Sequence, residues 1–428
     1  MTGFPSLRGG AGERHYPAVR RGVARRHVVA ALDTLLRDGP MWRAELAERT
    51  GLSRATVTRL TSELLGAGII FEEATRPSGT AQLGRPPSIL RVNPRAGGMV
   101  GVDIGASNMR LAAADLEGRF VLRREEPSHT TDGRAITVDG ILRLIRSVID
   151  DASKQGVPVR GVGIGVPSLT SDSGVVLNAP GLGWTNLPLR DIIEEALGLP
   201  TVVENDVNLA AVGEYAEGAG LAARGFVAVM VGTGVGAGIV IEGHLYRGAR
   251  LAGGEIGYML VDRKALEHNY PGYGYFEGLV GGAGIAERAR TALLRAKSEE
   301  RLKWPEDLSD LTSADVFHRR RSSRLAARLV EETVDYLSLG VANIACVLNP
   351  DCIVLGGGVI HNNPDLVEAV QARLEEKIPD PPALLRAALG EDAGVVGAIM
   401  LAQAAVLGRT GVDGECFSPG SRWDGSER

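Results

Sequence analysis

The 428-residue sequence predicts an α/β body preceded by a short, basic, helical head, and three observations point there. Apolar strand-like runs alternate with helical patterns from residue 99 onward, the signature of an α/β class. Glycine is abundant, at 57 residues, and many glycines sit where one strand-like run gives way to the next. Charge is also divided unevenly. Residues 1–95 carry 15 Arg, no Lys and 8 Asp+Glu, a net of +7, against −12 over the remainder and −5 for the chain.

A basic N-terminal fifth on an acidic body is the pattern of a nucleic-acid-binding head, the alternative being a basic tail that keeps the protein in solution. With 44% hydrophobic residues the chain has material for about two to four domains. Three cysteines (Cys346, Cys352, Cys416) are too few for a disulfide framework and fit a reducing, cytoplasmic setting. No run approaches the roughly 18–20 unbroken apolar residues of a membrane span, so no membrane partner is expected. The Gly- and Arg-rich start lacks the apolar centre of a secretory signal.

Residues 1–24 read as a mobile tail and residues 25–97 as the head. From Arg26, the residues Val28, Val29, Leu32, Leu35 and Leu36 recur at helical spacing up to Asp38-Gly39-Pro40. A second helix over about Arg43–Arg49 turns Leu46 and Ala47 inward, and Gly51 supplies the left-handed turn that follows. Ser53 is a good N-cap for a third helix with Val57, Leu60, Leu64 and Leu65 as its buried stripe. Helix, Gly turn, helix is the helix-turn-helix unit, whose second helix enters the major groove of duplex DNA. Ser53, Arg54, Thr56 and Arg59 are its candidate contacts, since hydroxyls reach phosphates or base edges and Arg takes two acceptors on guanine. Ile69–Glu73 and Ser88–Val92 read as a hairpin wing, with Arg85 in Gly84-Arg85-Pro86-Pro87 offered to the minor groove. A helical hairpin that binds another protein is the competing reading.

The body spans 98–408, and residues 409–428 read as a disordered tail. Met99–Ile104 and Arg110–Asp115 read as a hairpin with Asp103 at its bend. Helices over Val138–Asp151 and Val207–Glu217 alternate with strands at 161–167, Val202–Glu204, Phe226–Val231, Ile239–Glu242 and Cys352–Leu355. Two Gly-rich turns, each after a hairpin's first strand, suggest a phosphate cradle assembled from both sides, with Ser107 and Thr233 adding hydroxyl donors. Asp103 would hold Mg²⁺ through water. No G-x-G-x-x-G opens a helix there, which argues against a dinucleotide fold.

Taken together the motifs resemble the ROK family (repressors, open reading frames and kinases). The stretch from Val231 to Ile239, then Gly248 and Gly254-Glu255-Ile256-Gly257, matches its signature. Gly101–Gly105 is similar to its first phosphate motif, Glu204–Asn208 to its sugar-binding segment and Leu355–Gly358 to its nucleotide-side motif. The resemblance implies a winged helix-turn-helix followed by a two-lobed, actin-like ATPase body of sugar-kinase type. It further implies sugar contacts from Asn178, Asn205, Asp206, Glu255, Tyr258 and Glu277, with Asp206 the general base of a kinase. A helix N-cap is the competing role for Asn205 and Asp206. The nucleotide side would comprise Asp103, Gly105, Ser107, Gly232, Thr233, Gly234, Gly356 and Gly357.

The chain departs from that pattern at two places. Tyr258 stands where the family usually has a zinc-binding His, and no cysteine follows in 259–277, so zinc is expected to be absent. The aromatic residues Tyr270, Tyr273, Tyr275 and Phe276 would pack in its place. Ser107 and Asn108 also replace the usual Thr and basic residue, which weakens the expectation of Mg-ATP turnover. The leading expectation is a cytoplasmic, sugar-controlled regulator, a homodimer or dimer of dimers on an operator, bound by a sugar or sugar phosphate. An ATP-dependent sugar kinase with an appended head is the alternative, and a regulator with a degenerate cleft a third reading.

Overall fold

A computed structural model of the chain describes residues 23–74, 88–105, 108–129, 133, 135–220, 223–267, 274–296, 298–375 and 377–407. Arg85, Ser107, Tyr270, Tyr273 and most of the two expected tails fall outside these. The chain divides into two compact units between Ala96 and Gly97.

In the N-terminal unit, α1 (Val23–Asp38) begins at Val23 rather than Arg26 and buries Val28, Leu32 and Leu35. Helix α2 (Arg43–Thr50) buries Leu46 and Ala47, and Gly51 ends it at φ +67°, a conformation costly for any residue with a Cβ. Ser53 caps α3 (Arg54–Gly66) by accepting the Thr56 N–H at 3.1 Å, which satisfies one of the free donors of the first turn. Val57, Leu60 and Leu64 form the buried stripe, joined by Thr61, whose hydroxyl donates to the Thr58 carbonyl at 3.2 Å. Strands β1 (Ile70–Ala74) and β2 (Ser88–Val92) pair antiparallel with Ile70 opposite Val92, and Met41 bridges to Leu90. The result is a winged helix-turn-helix.

The second unit is built from two copies of one sheet topology. Strands β3 (Gly98–Ile104), β4 (Asn108–Asp115) and β5 (Phe120–Pro127) form an antiparallel meander. Helix α4 (Val138–Lys154) covers it, and β6 (Val159–Val166) then joins parallel to β3. A small sheet of β7 (Leu169–Thr170), β8 (Val176–Ala179) and β9 (Trp184–Leu187) leads to α5 (Leu189–Leu197) and to β10 (Thr201–Asn205), parallel to β6. Helix α6 (Asp206–Glu217) carries the chain to the second sheet, where β11 (Gly225–Val231), β12 (Val235–Ile241) and β13 (His244–Leu245) make another meander. Helices α7 (Tyr275–Val280), α8 (Gly282–Leu293), α9 (Ser298–Arg301), α10 (Ser313–Arg319) and α11 (Arg324–Leu348) follow. Strand β14 (Cys352–Gly356) joins parallel to β11; then come α12 (Gly358–Asn362), α13 (Asp365–Glu375), β15 (Ala383–Arg386) and α14 (Ala393–Leu407). The strand orders, β10-β6-β3-β4-β5 and β13-β12-β11-β14-β15, are the same pattern twice, the duplicated architecture of the actin-like fold.

Each sheet is covered on its outer face by helices, α4 and α5 on the first, α8, α11 and α13 on the second. Between the sheets lie α14, packed on β3 and β6, and α6, packed on β11 and β12. These two helices touch along a seam of small residues. A Cβ at Gly397 would collide with the Leu209 carbonyl, one at Gly213 with the Ala393 carbonyl, and one at Gly163 of β6 with the Ala398 carbonyl. Among the described residues α14 is the single helix long and apolar enough to cross a membrane, but two-thirds of that stretch (67%) is buried here as a core helix.

One local expectation needs correction. The Gly232–Gly238 run is mostly strand: β12 starts at Val235, and the turn is confined to 232–234. Gly236 and Gly238 are in the strand because α6 lies on them, with Val207 and Ala211 occupying the space of their missing side chains. Elsewhere in the second half, Arg319 pairs with Asp315 at 2.7 Å over the Trp304 ring and Arg320 pairs with Asp365 at 2.9 Å.

The glycine seam has a measurable consequence. Gly397→Val should destabilise the body by about 3 kcal/mol, because rigid backbone rather than a flexible side chain stands in the way. Gly181→Ala, which meets open space, should be neutral or slightly stabilising; denaturant unfolding followed by circular dichroism reads both.

Candidate functional site

The Gly-rich bends of the two meanders face one another across a cavity of about 420 Å³. From the first sheet come Asp103, Gly105, Asn108 and Arg110, and from the second Gly232 and Thr233. The turn Gly356–Gly358 and the loop Ala387–Gly394 close it, and Asp206 reaches in from the start of α6. A second cavity of about 720 Å³ shares Gly232, Thr233 and Gly358 and adds Glu277, Arg290, Thr312, Asn362 and Asn363. Of the expected nucleotide-side residues, Asp103, Gly105, Gly232, Thr233, Gly356 and Gly357 line one space, whereas Gly234 lines neither cavity and Ser107 lies outside the described residues. Gly357 needs φ +84° for this turn, and a Cβ there would meet the Val231 backbone at 2.6 Å.

Asp103 and Asp206 line the smaller cavity and Glu277 the larger, while Glu255 is exposed and lines neither. Burial pushes Asp206 up to about 8, the neighbouring Asp103 charge adds to the rise, and the Val207 N–H opposes it. Asp103 is raised to about 6 by burial, offset by Arg110 opposite it in the β3–β4 ladder. Its Oδ1 is enclosed with no hydrogen-bond partner among the described residues. Glu255 is raised by burial and by the charge of Glu277. Glu277 is itself raised by burial, against the N–H groups of Gly274 and Val235. Gly234 leaves room for the Glu277 carboxylate, which a side chain at that position would displace.

The other expected sugar contacts are placed differently. Asn205 caps α6, its Oδ1 accepting the Asn208 N–H at 3.0 Å and its Nδ2 donating to the Ser168 carbonyl at 3.3 Å. That is the helix-cap role anticipated for this residue type. Asn178 is exposed on β8, its N–H donating to the Ser168 hydroxyl at 3.2 Å, so one serine ties both asparagines together. Tyr258 is exposed at 57%, and Asn178, Asn205, Glu255 and Tyr258 line neither cavity.

On the head, Arg54, Arg59 and Ser53 are exposed, but Thr56 is half-buried and its hydroxyl pairs with Ser53 at 2.9 Å. The outward face of α3 is instead continued by Thr58 and Ser62. Arg59 is held by Glu63 at 2.8 Å, whereas Arg54 has no carboxylate partner among the described residues.

The ROK family model matches residues 99–405, and a winged helix-turn-helix DNA-binding model matches residues 29–70. The chain belongs to the ROK family. It is 32% identical to a glucokinase of Halalkalibacterium halodurans over 305 residues, 70% of this chain and 92% of that protein. It is 29% identical to the xylose repressor of Bacillus subtilis over 371 residues, 86% of this chain and 92% of the relative. The solved structure of a ROK family transcriptional regulator, a homologue of the E. coli MLC protein, superposes with a TM-score of 0.72 at 22% identity. That superposition covers 90% of this chain and 98% of the other, and it shows the fold.

The ROK body also contains functional-site neighbours that carry no motif. Buried Glu214 of α6 accepts the N–H groups of Ala219 at 3.0 Å, Ala388 at 3.0 Å and Leu389 at 2.8 Å, which moors the cavity loop to the helix that bears Asp206. His361, Arg110 and Arg386 line the smaller cavity as well. Two of the partners of Glu214 lie 174 and 175 residues away along the chain, beyond the reach of any local pattern.

Two outcomes follow from these geometries. Arg54→Ala should weaken duplex binding by about 1–3 kcal/mol, and Arg59→Ala by less because Glu63 already competes for that guanidinium; fluorescence anisotropy with labelled DNA measures both. Asp206 behaves as an acid whose folded value, about 8, exceeds its ordinary 3.8, so the folded chain binds the extra proton and stability falls as pH rises between them. Asp206→Asn should therefore flatten the decline of melting temperature as pH is raised from mildly acidic to mildly alkaline.

Proposed function

We propose that the chain is a sugar-responsive, DNA-binding repressor of carbohydrate metabolism. The observation that carries this reading is a winged helix-turn-helix, with an exposed Arg54 at the start of its recognition helix, in one chain with a ROK body whose adjoining cavities are lined by Asp206 and Glu277. The similarity to the Bacillus subtilis xylose repressor supports it, because 371 aligned residues exceed the length of the body and run into the head. Carboxyls raised toward their neutral form both donate to and accept from hydroxyl groups, which suits the hydroxyls of a sugar. Xylose is the first sugar to try and glucose the second. A homodimer would set two heads on half-sites separated by one helical turn of DNA or a multiple of it, in the cytoplasm where the operator lies. Sugar changes DNA affinity only insofar as it binds the DNA-competent and DNA-incompetent states unequally.

The kinase reading is kept alive by one specific feature, the enclosed Oδ1 of Asp103 beside the glycine turns, which has no hydrogen-bond partner among the described residues. Those residues fit a Mg²⁺–nucleotide phosphate: Asp103 would hold the ion through water, and the backbone N–H groups of 232–234 and 356–358 would face the phosphates. Such a nucleotide would supply the phosphoryl group. Asp206 would take the proton from the attacking sugar hydroxyl, and a carboxyl near 8 is well matched to that work at neutral pH.

Full-length protein titrated on an operator selected from genomic DNA tests the first reading. D-xylose or D-glucose should lower DNA affinity about tenfold, a typical coupling free energy. DNA binding indifferent to a whole panel of pentoses and hexoses would remove the sensing half. Sugar-dependent ADP release from Mg-ATP that disappears in Asp206→Asn would support the kinase.

A further inference from the structure

Glu204, the residue before the Asn205–Asp206 pair, is a carboxylate only 4% exposed at the end of β10. Its Oε1 accepts the N–H of Asn205 at 2.9 Å and the side-chain Nδ2 of Asn208 at 3.0 Å, with the Thr170 hydroxyl at 3.4 Å. Its Oε2 accepts from Arg247 at 2.7 Å. Strand β10 is the edge of the first sheet, and Arg247 follows β13, the edge of the second. The pair therefore crosses from one half of the body to the other.

On the far side, Arg247 is built into the segment that delivers Glu255. Its carbonyl accepts the Gly253 N–H at 2.8 Å, closing the loop 247–253 on itself. Next, the Gly254 carbonyl accepts the Ala237 N–H at 2.8 Å, and Gly254 sits at φ +90° where a Cβ would collide with the Ala237 carbonyl. Glu255 comes immediately after. The segments that carry Asp206 and Glu255, from opposite halves, are thus both anchored to one ion pair, in which Glu204 is buried and Arg247 half-buried.

We propose that Glu204 and Arg247 are positioning residues of the sugar site: their pair holds the Asn205–Asp206 segment and the Glu255 loop in the register that a sugar requires. Such a pair suits the task, since an arginine fork fixes direction and the buried Glu204 carboxylate, left alone, has no water to turn to. Neither side chain need touch the sugar. The pair acts by fixing where the carboxyls of Asp206 and Glu255 stand. This proposal rests on the sugar-site reading above and deepens it.

Two measurements on the full-length protein test the pair, using Arg247→Met, Arg247→Lys, Glu204→Gln and the double variant Arg247→Met with Glu204→Gln. Hydrogen–deuterium exchange without any sugar should show residues 203–209 and 247–257 loosening together in either single variant, with α4 and α13 unchanged. The double variant should exchange no faster than the singles, as expected of partners in one interaction. Loosening confined to the mutated segment, or spread through the whole body, would overturn the proposal. Calorimetry with D-xylose and D-glucose should show binding weakened about tenfold or more in Arg247→Met, with part of the loss recovered in the charge-conserving Arg247→Lys. Unchanged sugar affinity in Arg247→Met would equally overturn it. Wild-type protein that binds neither sugar would count against the sugar reading instead, and the exchange pattern alone would then support or overturn the coupling of the two segments.

Discussion

The close approach of α6 and α14 is the constraint on which the rest of the body depends. Two helices share the space between two sheets, and they fit only because Gly213, Gly397 and Gly163 leave backbone facing backbone. That contact fixes the height and rotation of α6, and α6 is the element that matters most to the cleft. Its first residue is Asp206, its first turns rest on the glycines of β12, and Glu214 farther along holds the loop at Ala388 and Leu389. A helix placed by rigid contacts thus transmits its position to both walls of the smaller cavity. Few long side chains intervene to blur it.

The electrostatics of the cleft follow from the same enclosure. Asp103, Asp206, Glu255 and Glu277 are all raised, and in each case burial is the leading cause. A carboxyl kept neutral near physiological pH donates one hydrogen bond and accepts others, which suits a ligand whose hydroxyls do both. Arg110, whose charge opposes the rise at Asp103, also contacts Glu391 at 2.5 Å and Glu125 at 3.4 Å, so its charge is shared rather than given over to the cavity. The site offers enclosed acids and glycine turns. It contains no cluster of metal-binding side chains among the described residues.

Local patterns are legible in the sequence and distant contacts are not. The head can be read almost residue by residue, because helix caps, left-handed glycines and apolar spacing act within one or two turns: Ser53, Gly51 and the stripe through Leu60 are all where the pattern places them. Thr56 shares a hydrogen bond with the cap residue Ser53, since a polar residue in the first turn can face either solvent or the cap. In the body, the glycines of Gly232–Gly238 look like one long turn, since nothing local reveals that α6 presses on Gly236 and Gly238. Asn205 and Asp206 are recognisable as a pair, yet only coordinates separate the cap from the acid. Glu204 and Arg247 stand 43 positions apart and belong to different halves of the body, so neither spacing nor composition hints at their meeting.

The pairing of arginines with acids in the head bears on how a duplex is found. Arg43, Arg49, Arg59 and Arg91 are each engaged by a glutamate or aspartate, and residues 23–74 and 88–95 carry a net charge of only +2. The remaining +5 of this region belongs to residues 1–22 and 75–87. Long-range attraction to phosphates, which governs encounter rate and its dependence on ionic strength, therefore resides chiefly in the charge of residues 1–22 and 75–87. The compact three-helix core is left to discriminate between sequences once contact is made. Capture and reading are assigned to different stretches of the same ninety-odd residues, so evolution can retune one without disturbing the other.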